Sequence, residues 1–151
     1  MELCIALKEK LLAKCIEVKQ ESESQLMAAI AEAQQSANDY GQPKDRYDSF
    51  RAQLMRKRDM MAHQLSVLEE ELRILLQMRT GHIFDHVELG ALVQLNTQTI
   101  FIMTGIGKLV MDNETFYVVS PTVPIVEAMK GLKAGDSFNF RGTTMQILKI
   151  C

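Results

Sequence analysis

A chain of 151 residues and 17.1 kDa has room for one ordinary domain, or for a small domain plus an extended element. A formal net charge of -2 and a pI near 5.9 exclude a general nucleic-acid binder, which needs a basic surplus, so any nucleic-acid contact has to be local. No stretch reaches the roughly 18–20 uninterrupted apolar residues of a bilayer span, and Glu2, Lys8, Glu9 and Lys10 interrupt the opening apolar run too early for a signal peptide. These features lead us to expect a soluble, cytoplasmic chain with no membrane partner.

The character of the sequence changes near Gly81. Upstream there is one Gly and one Pro among abundant Ala, Leu, Glu, Gln, Lys and Arg, the residues that lose least on entering a helix. Downstream come seven of the eight glycines, with Val, Ile, Thr and Phe, which is strand and turn composition. The expected domains are therefore 1–80, a helical hairpin, and 81–151, a small strand-rich body.

A first helix is expected over roughly 3–38, with an apolar stripe through Leu7, Leu11, Cys15, Val18, Leu26, Ala29, Ile30 and Ala33. Its small residues Ala28, Ala29, Ala31, Ala33 and Ala37 allow a partner helix to approach closely. Gly41 and Pro43 do not both sit comfortably inside a helix, so the chain turns back through a tip at about 38–47. The second helix, roughly 46–78, repeats Tyr47, Leu54, Met61, Leu68 and Leu75 every seven residues, with Arg51, Arg58, Leu65 and Leu72 four positions after the first four. This 4-3 spacing marks a left-handed coiled coil, here folded on itself as a protruding antiparallel hairpin. Cys4 and Cys15 fall in the first helix and Cys151 ends the chain; an odd set without metal-ligand spacing reads as reduced thiols acting as small apolar groups.

Near the tip lies a basic run of Lys44, Arg46, Arg51, Arg56, Lys57 and Arg58, facing only Asp45, Asp48 and Asp59. One reading is a salt-sensitive contact to phosphates. The other is a solvated face paired with Glu21, Glu23 and Glu32. Arg51 and Arg58 stand out because they fall on the seam, where a purely structural helix prefers leucine.

Beyond Gly81, strands are expected at Val87–Leu95, Thr99–Thr104, Lys108–Met111, Phe116–Ser120, Ser137–Phe140 and Thr144–Ile150, with a hairpin turn at Asp112-Asn113-Glu114. Pro121–Met129 reads as a short helix with Ser120 as its cap and Pro121 at its first position. Gly135-Asp136 is a turn. Phe101, Phe116, Tyr117, Phe138 and Phe140 alternate as core residues do. The fold class is α+β: a long coiled-coil hairpin followed by a small antiparallel β domain carrying one short helix.

The segment Ser120-Pro121-Thr122-Val123-Pro124-Ile125-Val126-Glu127-Ala128-Met129-Lys130-Gly131-Leu132-Lys133-Ala134-Gly135-Asp136, behind such a hairpin, resembles the bacterial Gre transcript-cleavage factors. There a Ser-Pro pair opens a short helix, a glycine step follows, and a Gly-Asp turn leads into the last hairpin. The resemblance implies an FKBP-like C-terminal domain that docks on RNA polymerase, through Ser120, Pro121, Gly131, Gly135 and Asp136, at the rim of the secondary channel. It also implies a coiled coil that enters the channel, with the basic patch toward the nascent RNA 3′ end. Such factors have no catalytic residues or cofactor of their own; acidic tip residues help hold a magnesium ion of the polymerase, whose preference is for hard oxygen ligands.

The tip here reads Asp39-Tyr40-Gly41-Gln42-Pro43-Lys44-Asp45-Arg46-Tyr47-Asp48. With Tyr47 matched to the family tyrosine, Pro43 stands where the tip glutamate belongs and Tyr40 where the aspartate belongs. Asp39, Asp45 and Asp48 are the acidic candidates that remain. Both cleavage stimulation and modulation or inhibition of the polymerase are open on this tip.

Other readings find less support. His82 and His86 are spaced for a metal on a helix, but Gly81 and the strand signals argue against that helix and no third ligand is evident. A prolyl isomerase pocket is not expected, because there is no Trp, and neither is a condensing enzyme of fatty-acid synthesis, because Cys4 and Cys15 lie on the coiled coil; no small-molecule substrate is expected. The ten methionines read as seam filler. The alternative of a different class is an adaptor whose hairpin pairs with another helix, for which an exposed apolar stripe off the seam would be the sign.

Overall fold

The computed structural model describes residues 2–40 and 49–151, with Glu2, Leu3 and Tyr40 as backbone only. The residues 41–48, on which the expected turn falls, with Gly41, Pro43, Lys44, Asp45, Arg46, Tyr47 and Asp48, lie outside the described residues. The elements are helices α1 (Glu2–Tyr40) and α2 (Ser49–Gln77), strands β1 (Leu92–Leu95), β2 (Thr99–Ile102), β3 (Gly107–Met111) and β4 (Glu114–Val119), helix α3 (Pro124–Met129), and strands β5 (Ser137–Phe140) and β6 (Thr143–Ile150). The chain divides into two compact units, Cys15–Gln77 and the stretch up to Lys14 together with Met78–Cys151. The division differs from the compositional break at Gly81, because the start of α1 is bonded into the strand-rich unit.

In the helical unit, the Lys19 ammonium pairs with the Glu71 carboxylate and the Arg58 guanidinium donates to Gln34 Oε1 at 2.6 Å. Going fifteen residues up α1, from Lys19 to Gln34, means going thirteen back along α2, from Glu71 to Arg58, so the helices are antiparallel. The seam follows the heptad. Met61, Leu72 and Leu75 are buried on α2, and Cys15, Ala33 and Ala37 on α1. The two alanines fall toward the tip, where small side chains let the backbones come close.

In the second unit, six strands form one sheet in the order β3-β4-β2-β1-β6-β5. Strands β2 and β4 run parallel and the other neighbours antiparallel, so the sheet is mixed rather than purely antiparallel. The β3–β4 turn is at Asp112-Asn113, as expected; both residues have positive φ (51° and 63°), which suits the twist of a two-residue hairpin. Alternation splits the sheet into two faces. Val93, Leu95, Ile100, Ile102 and Ile147 pack with Val126 and Met129 of α3 as the main core, while Leu92, Phe101 and Phe116 are buried on the other face.

Three local expectations change. The helix begins at Pro124, not Pro121, and Ser120 is not its cap; the N-cap is Val123 with no side-chain bond. A residue before proline is pushed out of the helical region, and Val123 (φ -69°, ψ 149°) is extended accordingly, so no helix runs through it. Strand β1 starts at Leu92 rather than Val87, because the chain turns beforehand, with the Ala91 amide on Glu88 O at 3.0 Å. Finally, Cys4 and Cys151 are joined in a disulfide, leaving Cys15 as the free thiol. Residues 147 apart meet because β6 and the start of α1 belong to the same unit.

Candidate functional site

The Ser120–Asp136 segment is held by its own backbone. Ser120 Oγ lies 2.8 Å from Thr122 Oγ1, and the Val126 and Glu127 amides both donate to Val123 O at 3.1 Å. After α3, Gly131 takes φ 78° and donates to Val87 O at 3.2 Å; a residue with a Cβ is strained there. Gly135 (φ 94°) donates to Ile147 O at 2.7 Å, tying the turn to β6. Asp136 Oδ2 accepts from the Lys133 amide at 2.8 Å, so its carboxylate closes the turn. Of the five residues of the expected docking motif, Ser120 and Pro121 are half-buried at the start of the segment, while Gly131, Gly135 and Asp136 shape its backbone. These three are exposed together with Thr122, Pro124, Glu127, Ala128, Lys130, Lys133 and Ala134, with Val126 and Met129 anchored in the core beneath.

On the hairpin, Asp39 is exposed and accepts from Gln35 Nε2 at 2.7 Å. The other acidic candidates, Asp45 and Asp48, lie outside the described residues, as do Tyr47, Lys44 and Arg46. Tyr40 is the last residue of α1. Arg56 and Lys57 are exposed on α2, and Arg51 and Arg58 are half-buried on the seam. Besides Gln34, Arg58 grips Asp59 Oδ1 through Nε (3.0 Å) and Nη2 (2.6 Å), so part of its charge is already spent. Of the basic run near the tip, the described positions are Arg51, Arg56, Lys57 and Arg58, all on α2.

The residue that sequence reasoning missed is Lys8. Its side chain is 1 % exposed. The ammonium donates to the backbone oxygens of His82 (3.2 Å) and Cys151, and lies 4.7 Å from the centroid of the Phe84 ring. Burial pulls its pKa down to about 8. A signal was present: Cys4, Lys8, Leu11 and Cys15 are spaced 4-3-4, so Lys8 shares one helix face with the buried Leu11 and Cys15.

The two linker histidines serve separate purposes. His82 packs edge-on against Phe84 at 4.4 Å. His86 is half-buried between Asp85 (2.6 Å) and Glu88, and its pKa is raised by the hydrogen bond to Asp85 first, then by Glu88. Among the described residues no group of three His, Cys, Asp or Glu side chains is arranged to hold a metal ion, and no helix is long and apolar enough to cross a membrane.

No family model matches the chain, and no curated protein sequence matches it. Solved structures do show similarity. The transcription factor Gfh1 is 16% identical over 89% of this chain and 92% of that one, with a TM-score of 0.36. The GreA factor homolog 1 of Thermus thermophilus is 17% identical (94% and 93% covered, TM-score 0.34), and Gfh1 of Thermus aquaticus 18% (94% and 92%, 0.33). Similarity at this level leaves function to be argued from the chain's own residues.

Proposed function

We propose that this chain is a Gre-like transcription elongation factor that binds RNA polymerase through its C-terminal unit and inserts the hairpin tip into the secondary channel. The observation that carries the reading is the Ser120–Asp136 segment. It resembles the Gre docking motif in sequence, and its backbone is fixed by Gly131, Gly135 and Asp136 so that an outer surface is presented to a partner. The antiparallel pairing of α1 and α2 supplies the second element such a factor needs. The protein carries no catalytic group of its own in this reading, and any metal at the tip belongs to the polymerase. With Pro43 and Tyr40 in the positions of the acidic motif, modulation of the polymerase is favoured over strong cleavage stimulation.

The test is an RNA cleavage assay on stalled complexes of the cognate polymerase, comparing wild type with Asp39, Asp45 and Asp48 changed together to alanine. Binding with little cleavage supports a modulator, cleavage lost in the variant supports carboxylate-assisted cleavage, and absence of polymerase binding sinks the proposal.

One observation favours the adaptor reading. Met60, Val67 and Ile74 recur every seven residues on α2 and are exposed to 59%, 49% and 47%, off the intramolecular seam. A stripe of this spacing suits a further helix. Changing all three to glutamate leaves polymerase binding intact under the primary reading and abolishes partner binding under this one.

A further inference from the structure

The three cysteines sit in different surroundings. Cys15 is fully buried on the seam, and burial raises its thiol pKa to about 11. Cys4 and Cys151 are both half-buried, and both line a half-open cavity of about 410 Å³ with Leu7, Ile83, Leu92 and Phe116. Both bridged residues thus belong to the wall of a cavity that opens to solvent, which gives small molecules a route toward the bridge. A structural staple sealed in a core would not be reachable in this way, and access is what thiol–disulfide exchange requires.

The two ends of the bridge are held unequally. Cys151 is fixed by backbone bonds that do not depend on sulfur: its amide donates to Leu92 O at 3.0 Å, and its oxygen accepts from the Phe84 amide at 2.9 Å and from Lys8. Cys4 lies in the first turns of α1, with Lys8 and Leu11 as the next buried side chains along the helix. Breaking the bridge thus frees one side only, the helix start ahead of Lys8.

We propose that Cys4–Cys151 is a redox modification site, opened by a dithiol reductant that enters through this cavity, and that its reduction releases the start of α1 from the sheet while β6 stays in place. The reductant's thiolate attacks one sulfur of the bridge, forms a mixed disulfide and expels the other as a thiolate. The second thiol of the reductant then displaces the remaining protein sulfur. The reductant leaves as a disulfide, two electrons pass to the protein, and the two protons of the dithiol end on Cys4 and Cys151. The inference is independent of the polymerase reading.

The test uses the full chain, oxidised and then titrated with dithiothreitol without denaturant, with free thiols counted by alkylation and mass spectrometry and amide hydrogen exchange measured in both states. Cys15→Ser serves as the control against disulfide shuffling. The expected result is alkylation of Cys4 and Cys151 only after native-state reduction. It is accompanied by at least a tenfold faster exchange at amides 6–9, unchanged exchange at 147–151, and reversal on reoxidation. Three results overturn the proposal: Cys4 and Cys151 alkylated in the oxidised sample, a bridge that resists dithiothreitol until the chain is unfolded, or exchange at 6–9 indifferent to reduction.

Discussion

Arg58 of α2 donates to Gln34 of α1 at 2.6 Å, across a seam where the heptad asks for an apolar residue. If the hairpin were only structural, leucine would serve better there. Arg58→Leu is therefore expected to stabilise the hairpin, by about 1 kcal/mol, while weakening any effect on transcription that depends on the basic patch. Urea unfolding followed by circular dichroism, alongside a transcription assay, separates the two effects. A loss of stability in Arg58→Leu would show that the Gln34 bond matters more than the apolar surface.

Lys8 is the most consequential buried polar group among the described residues. Lys8→Ala leaves a void and two backbone oxygens, of His82 and Cys151, without their ammonium donor, so a loss of about 2–4 kcal/mol is expected. Lys8→Met keeps the volume and is expected to cost less. Thermal unfolding of the oxidised proteins gives the comparison.

The same lysine sets a pH dependence. Its pKa is about 8 folded and near the ordinary 10.5 unfolded, so between these values the unfolded chain binds the extra proton. Stability then rises with pH across that window, by at most about 3 kcal/mol, and this contribution is lost as pH falls through 8. Denaturant titrations from pH 7.5 to 10.5 should show the rise in wild type and its absence in Lys8→Met.

Much of the hairpin was legible because a heptad is a local pattern: the buried Met61, Leu72 and Leu75 all lie on the stripe read from spacing alone. The Asp112-Asn113 turn was legible for the same reason. What failed was non-local or context-bound. Nothing in the periodicity of Thr99–Ile102 and Glu114–Val119 says that these strands run parallel, and nothing local tells Cys4 that Cys151 will lie beside it. The Ser120-Pro121 pair resembled a helix start until Pro124 imposed an extended Val123. Lys8 breaks the opening apolar run as a charge, yet its spacing to Leu11 and Cys15 puts it on the buried face of α1.

His86 titrates above the ordinary histidine value, chiefly through Asp85, and then through Glu88. Its contribution to stability is fully present below pH 6.5 and is lost as pH rises through the raised folded value. Asp85→Asn should lower the midpoint seen for the His86 ring by nuclear magnetic resonance; an unmoved midpoint would assign the shift to Glu88.

In the function proposed above, the hairpin end enters the polymerase. Asp39 is exposed near the end of α1, so a photocrosslinking residue placed there reports directly on what surrounds it. Mixed with the cognate polymerase and irradiated, the full chain is expected to crosslink to residues lining the secondary channel. Crosslinks confined to the outer surface of the polymerase, or none at all from a chain that is folded by circular dichroism, would contradict the account.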